Sequence, residues 1–158
     1  MNLSLRKIFV AALILLAGSH VFSQRSEAVE DARSEAKLLL EIWLTCQNTG
    51  NLTIYRTLYA DDFMGVRKSG SRTVTLDLNG WIKDRTRMFK SRMNVSISDV
   101  RIKEDSEGVH LIFTQNFKQG SYQDVGLKRM LLSRSSGRMK IEREEMLNSD
   151  LIKASPQR

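Results

Sequence analysis

Residues 110–131, HLIFTQNFKQGSYQDVGLKRML, alternate apolar and polar side chains on both sides of a Gln119-Gly120-Ser121 break. Alternation with a period of two around a glycine-containing turn is the pattern of a two-stranded antiparallel hairpin. A hairpin with one apolar face needs a second layer to cover it. The chain supplies that layer upstream. Val29, Ala32, Ala36, Leu39, Leu40 and Trp43 recur at spacings of three and four, which predicts an amphipathic helix over residues 27–47. Glu27, Glu30 and Asp31 favour the positive end of that helix, and Asn48-Thr49-Gly50 stops it. Helices first and sheet second is an α+β order.

Leu52, Tyr55, Leu58 and Tyr59 predict a short second helix over residues 51–60, closed by a turn at Asp61-Asp62-Phe63. Residues 64–79 fit either a small hairpin or a mobile loop that closes as a lid, because Lys68-Ser69-Gly70-Ser71 is turn chemistry and Thr73-Val74-Thr75-Leu76 has strand propensity. Asn79 is a candidate cap for a helix from about residue 80 to 90 that groups Trp81, Arg85, Met88 and Phe89. Strands follow over about 95–102, 109–117, 122–133 and 138–145. In the first of them Val95 and Ile97 have one parity and Val100 and Ile102 the other, so a bulge is expected near Ser98-Asp99. Residues 147–158 lack a pattern, contain the one proline and are expected to form a flexible tail.

Residues 1–23 have the form of an export signal. Arg6 and Lys7 precede an uncharged apolar run, Ile8 to Ala17, that is about half the length needed to span a bilayer, and Val21-Phe22-Ser23 fits the cleavage site. Ser19 stands where lipid attachment would need cysteine, so a periplasmic or secreted product without a stable membrane anchor is expected. The folded domain is then residues 24–146. Loss of Arg6 and Lys7 lowers the formal charge from +7 to +5. Its basic residues are dispersed, which suits solubility, and after export the acidic partners within reach are envelope polymers, lipid head groups and proteins. Cys46 is the one cysteine, so no intrachain disulfide can form, and its position beside Trp43 on the apolar stripe suits a small buried hydrophobe.

The order of these elements, with the residues at their ends, resembles the nuclear transport factor 2-like superfamily, the cone-shaped fold shared with ketosteroid isomerases and SnoaL-like cyclases. The likeness covers about residues 30–146. It is narrowest toward the version found in bacterial envelope proteins and appended to some L,D-transpeptidases. The motifs that carry it are Tyr59-Ala60-Asp61-Asp62-Phe63, then Trp81-Ile82-Lys83-Asp84-Arg85, then Phe113-Thr114-Gln115-Asn116-Phe117 followed by Tyr122-Gln123-Asp124 and Lys128, with Lys140-Ile141-Glu142 ending the sheet. Phe117 stands where that version has tyrosine, and Met139 where it has tryptophan. The resemblance implies helices packed into the concave face of a curved, mostly antiparallel sheet, and a homodimer through the outer sheet face.

Strand parity places Tyr122, Asp124 and Lys128 on one face of the third strand, and Phe113, Gln115 and Phe117 on one face of the second. The same parity groups Lys140, Glu142 and Glu144 on the fourth, so that Lys128 can neutralise Asp124 or Glu142. The cluster is either a pocket floor or a solvated sheet face with cross-strand ion pairs. Trp81 and Arg85 lie one helical turn apart, which lets the guanidinium stack on the indole or reach an acid across the cone. That pair is either a structural anchor or a holder for a carboxylate or sugar.

The superfamily's catalytic precedent is a carboxylate base beside a hydrogen-bond donor in an apolar cavity. Here Asp61 or Asp62 with Tyr55 or Tyr59 can take those parts. His110 is the one histidine after residue 23, which excludes a histidine-rich metal site. No glycine-rich phosphate loop, paired-cysteine site or nucleic-acid signature occurs, and no cofactor is expected. The leading expectation is a non-catalytic binding or assembly module of the bacterial envelope. Its partner would be a small molecule, a cell-wall component or an envelope protein, held through Trp81, Arg85, Gln115, Tyr122, Asp124 and Lys128. The alternative is a small isomerase, dehydratase or cyclase acting on an apolar substrate in the cone.

Overall fold

The computed structural model describes residues 29–69, 71–135 and 137–151; the expected signal segment and the last seven residues lie outside them. The chain divides into residues 1–34 and residues 35–158, and the fold below is that of the second unit. Helix α1 carries helical residues 29–49, of which 35–49 belong to this unit. Ala36, Leu39, Leu40, Trp43, Cys46 and Gln47 form its buried stripe, while Leu38 between them is exposed. A stripe at spacings of three and four needs one apolar partner surface, and the sheet provides it.

Helix α2, Leu52–Thr57, is capped by the Asn51 side chain, which accepts from the Ile54 amide. It is followed by β1 (Tyr59–Ser69), β2 (Arg72–Asp77), α3 (Leu78–Met88), β3 (Asn94–Asp105), β4 (Gly108–Gln119), β5 (Tyr122–Ser135), β6 (Arg138–Met146) and β7 (Asp150–Leu151). The sheet order is β2-β1-β6-β5-β4-β3, and β7 pairs with β5. All pairings are antiparallel except β1 with β6, which the crossover through the rest of the sheet makes parallel. The α+β class and the curved, mostly antiparallel sheet expected from the sequence are present.

The β4–β5 hairpin carries the core. Val109, Leu111, Phe113 and Phe117 of β4, and Met130 and Leu132 of β5, are buried on one face, with Ile141 of β6 beside them. Trp43 of α1 meets Phe113 edge to face at 5.9 Å between ring centroids. The expected bulge in β3 is present: the register shifts between Ser98 and Arg101, and Asp99 sits at φ 55°, the left-handed region that a bulge residue can use.

Three expectations need correction, and one open alternative is decided. Asp61 and Asp62 are not a helix-ending turn; they are exposed residues inside β1, where the pairing with β6 is irregular between Tyr59 and Met64. Of the two alternatives for residues 64–79, the hairpin is present: residues 64–69 pair with 72–77 as β1 and β2. The cap of α3 is Asp77, whose carboxylate accepts from the Gly80 amide at 2.8 Å, so the helix starts two residues before the expected position. Finally, the chain does not come loose at residue 147. The Leu147 amide donates to the Leu127 carbonyl at 2.8 Å, the Asn148 side chain accepts from the Leu127 amide at 2.5 Å, and Asp150–Leu151 adds a strand. Backbone groups beside a strand edge find partners there, which a hydrophobic pattern does not record.

Candidate functional site

A cavity of about 280 Å³ opens between α3 and the concave face of the sheet. That is near the lower end of the range for small-molecule pockets, about 300–1,000 Å³. Helix α3 contributes Trp81, Arg85 and Met88; β4 contributes Gln115, Phe117 and Gln119; β5 contributes Tyr122, Asp124 and Lys128. Met146 of β6 and Val66, Arg67 and Lys68 of β1 complete the wall. All six residues singled out from the sequence therefore line one space. Parity explains it: in β4 and β5 the residues with the parity of Gln115 and Lys128 face inward, and their pairing register sets Phe113 opposite Lys128 and Phe117 opposite Asp124.

Glu144 organises the floor beneath the cavity and is fully buried. One of its oxygens lies 2.5 Å from Lys128 Nζ and 3.8 Å from Arg85 Nη2. The other accepts from Tyr59 Oη at 2.7 Å and from Trp43 Nε1 at 3.2 Å. Burial by itself favours a neutral carboxyl, but the Lys128 and Arg85 charges outweigh it and hold Glu144 below the usual carboxylate range. For Lys128 the burial effect is the larger one, and it lowers the ammonium pKa against the pull of Glu144. Burial also works against the Arg85 guanidinium, yet the acidic groups around it, Tyr55 and Glu144 first, raise its pKa. Glu144 is thus an anchored anion whose acceptor sites are filled.

The sequence grouped Glu144 with Lys140 and Glu142 and did not single it out as the partner of Lys128, because of a bulge. In the β5–β6 register Leu131 faces Arg143 and Leu132 faces Ile141, so Glu142 is the extra residue. Met139 and Ile141 point inward before it, and Glu144 and Met146 after it. Lys140, Glu142 and Glu144 consequently do not share a face, and Lys128 pairs with Glu144 rather than with Glu142 or Asp124. The inward apolar residues Met139, Ile141 and Met146, which change parity along the strand, are the signal that locates the slip.

Aromatic rings hold α3 at this floor. Arg85 Cζ lies 4.6 Å from the centre of the Trp81 ring, Trp81 packs on Phe63 at 5.4 Å, and Trp81 Nε1 donates to Tyr55 Oη at 3.2 Å. Both geometries open to Arg85 occur, since it stacks on the Trp81 indole and reaches an acid, Glu144, across the cone. Gly65 leaves room for this arrangement; a Cβ there would stand 2.4 Å from Trp81 Cε3. Burial pushes the Tyr55 phenol up to about 12, and burial with the nearby Glu144 charge sends Tyr59 well above its ordinary value.

Asp124, also buried, accepts from Tyr122 Oη at 2.9 Å and Ser149 Oγ at 2.8 Å. On the rim, Arg67 Nη1 meets Asp84 Oδ2 at 2.5 Å, and Lys68 Nζ donates to the Leu147 carbonyl at 2.9 Å. Two buried atoms of lining residues have no hydrogen-bond partner, Arg85 Nε and Gln115 Oε1. The pair proposed from sequence as a catalytic centre is separated: Tyr55 and Tyr59 are in the core, whereas Asp61 and Asp62 are exposed. The metal-type cluster found among the described residues is Asp105, Glu107 and His110. It lies at the β3–β4 turn, on the opposite face of the sheet from the cavity, with two exposed carboxylates and His110 Nε2 3.0 Å from Asp105 Oδ1.

No protein-family model matches the sequence, and no curated protein matches it. Solved structures do match. The chain superposes on Bd1075 of Bdellovibrio bacteriovorus with a TM-score of 0.59 and 18% identity, over 79% of this chain and 41% of that one. It therefore spans about two-fifths of the Bd1075 chain. An NTF2-like protein of unknown function from Pseudomonas putida KT2440 matches with a TM-score of 0.62 and 15% identity, over 73% of this chain and 85% of that one. An NTF2-like protein from Cytophaga hutchinsonii matches with a TM-score of 0.63 and 16% identity, over 76% and 98% respectively. At these identities the likeness concerns the fold: residues 35–151 adopt the NTF2-like cone.

Proposed function

We propose that this chain is an exported, non-catalytic binding module of the bacterial cell envelope that holds a small molecule or a cell-wall component in the cone cavity. One observation carries the reading. The cavity brings the apolar side chains of Met88, Phe117 and Met146 to one place with the polar groups of Arg85, Gln115, Tyr122, Asp124 and Lys128. A concave site lined mostly by apolar side chains with a few placed polar groups is the usual form of a small-molecule pocket. The environment of Glu144 supports the non-catalytic reading. An enzyme of the isomerase or dehydratase type needs a carboxylate free to take a proton, with its pKa raised. The carboxylate at the cone's floor is instead held low and occupied by Lys128, Tyr59 and Trp43.

The envelope setting rests on the leader-like residues 1–23. Among the described residues no helix is long and apolar enough to cross a membrane. A homodimer is part of the same proposal, formed through the outer sheet face, where Ile112, Leu127 and Leu131 are partly exposed. Two measurements test the reading. Fractionation of cells that express the tagged full chain should recover it outside the cytoplasm with residues 1–23 removed; an uncleaved cytoplasmic product overturns the envelope assignment. The small-molecule fraction of an envelope digest should bind the purified domain saturably and be recovered chemically unchanged. Tyr122→Ala, at the half-open rim, should weaken that binding in a folded protein. Equal binding by the variant, or chemical conversion of the bound molecule, overturns the binding assignment.

A further inference from the structure

We infer that the face formed by α3 and the β1–β2 hairpin docks on an anionic lipid bilayer; the inference goes beyond the binding reading and holds whatever the cavity contains. Residues 63–98 carry eight Lys and Arg against two Asp, a net +6. The whole chain carries +7, and +5 after loss of Arg6 and Lys7, so everything outside this segment is close to neutral. The cations are dispersed along the sequence, but the fold gathers them. The β1–β2 hairpin forms one edge of the sheet, β3 the other, and α3 connects the two edges. Asp84, at 8% exposure, holds Arg67 of β1 and Arg87 of α3 together, which joins hairpin and helix in one face. One carboxylate against two guanidiniums leaves that junction positive.

Lys83, Arg87 and Lys90 follow one another at spacings of four and three, so they form a stripe along α3 and the turn that ends it, and all three are exposed. The stripe is about 10 Å long, close to the screening length at physiological salt, so its charges act together. Arg92 just beyond it and Arg72 on β2 are exposed as well. None of Lys83, Lys90 and Arg92 meets a carboxylate among the described residues. Arg67 and Lys68 continue the face to the cavity's rim, and the Lys68 ammonium has a backbone carbonyl, not a carboxylate, as its acceptor. Ammonium groups on the outside of a helix present charge over a convex surface. They form no fork that would select one acid, and the guanidiniums with fixed geometry, Arg67 and Arg87, already share Asp84. A surface of this kind reads charge density, which a plane of anionic head groups supplies.

Co-sedimentation of residues 24–158 with phosphatidylcholine vesicles, with and without phosphatidylglycerol, tests the inference. The chain should bind the anionic vesicles and not the neutral ones, and added salt should release it. The triple replacement Lys83→Gln, Lys90→Gln and Arg92→Gln should weaken binding by about a hundredfold, since each cation near an anionic surface contributes roughly a factor of five. A second triple, Arg101→Gln, Lys103→Gln and Arg138→Gln, removes the same charge near the β3–β4 and β5–β6 turns, at the sheet end away from the Gln119 contact with the end of α3. It should weaken binding by less than about tenfold. All six positions are exposed, so both variants are expected to fold, which circular dichroism checks. Equal losses in the two triples, or equal binding to neutral vesicles, overturn the inference. So does a chain that sediments with neither vesicle but is shifted on a native gel by soluble polyphosphate, which makes the face a polymer site. Binding to none of the three leaves a solvated face and overturns it too.

Discussion

Replacing Lys128 with methionine removes the ammonium 2.5 Å from the Glu144 carboxylate while keeping most of the side chain's length. Both groups are almost completely shielded from water, Lys128 at 3% and Glu144 at 0% exposure. Removing one partner of a buried pair costs about 3–5 kcal/mol, because the remaining charge stays desolvated. Glu144 would retain Tyr59 and Trp43 as neutral donors and Arg85 at 3.8 Å, which places the loss near the lower end, about 3 kcal/mol. With a urea slope of about 2 kcal/mol per molar, the unfolding midpoint should fall by roughly 1.5 M. The acid limb should move as well. A carboxyl held low in the folded state contributes stability that is present above its unfolded pKa and lost as pH falls through the folded one. Without Lys128 the folded pKa of Glu144 rises toward the unfolded one, so the acid loss from this group should be smaller and complete at a higher pH. The double replacement Lys128→Met with Glu144→Gln should recover much of the deficit, since a neutral pair has no uncompensated charge. Urea unfolding by circular dichroism, at neutral and mildly acid pH, reads all three. A Lys128→Met midpoint within about 0.3 M of the parent, corresponding to under about 1 kcal/mol, would refute the assignment of Lys128 and Glu144 as a buried ion pair.

Gly65→Ala should destabilise by about 1–3 kcal/mol and alter tryptophan fluorescence, because its Cβ would intrude on a Trp81 ring already packed on Phe63; thermal unfolding and emission spectra check it. Asp77→Ala should cost about 1 kcal/mol by removing the cap of α3, measurable by chemical denaturation, whereas Asn79→Ala should cost less. Above pH 10 the domain should lose stability. Tyr55 and Tyr59 have folded pKa values above the unfolded one, so their contribution is complete below pH 10 and is lost as pH rises; Tyr55 alone, at about 12, accounts for roughly 3 kcal/mol. Stability curves from pH 8 to 12 should bend downward, and Tyr55→Phe should remove part of the bend.

The sheet's centre was legible because the β4–β5 hairpin is buried on one face throughout, so each residue's direction follows from counting by two. Gln115, Asp124 and Lys128 could be assigned to one space for that reason, and Trp81 and Arg85 from the helical repeat. Counting failed on β6, where one extra residue at Glu142 reverses the faces and hides the most buried carboxylate. The β1 stretch was obscure for a related reason: between Tyr59 and Met64 the pairing with β6 is irregular, and no constant period survives. Residues 147–151 are held by backbone and polar side-chain bonds to β5, which leave no apolar signature. Asp77 and Asn79 both suit a helix cap, and only the bond to Gly80 distinguishes them.

Native mass spectrometry of residues 24–158, purified without denaturation from the periplasm of an expressing bacterium, tests the central claim most directly. A binding module should retain a small molecule on the folded chain, release it on denaturation and leave it chemically unchanged after incubation. A bare chain in every preparation, or a bound molecule that the protein converts into another, would contradict it.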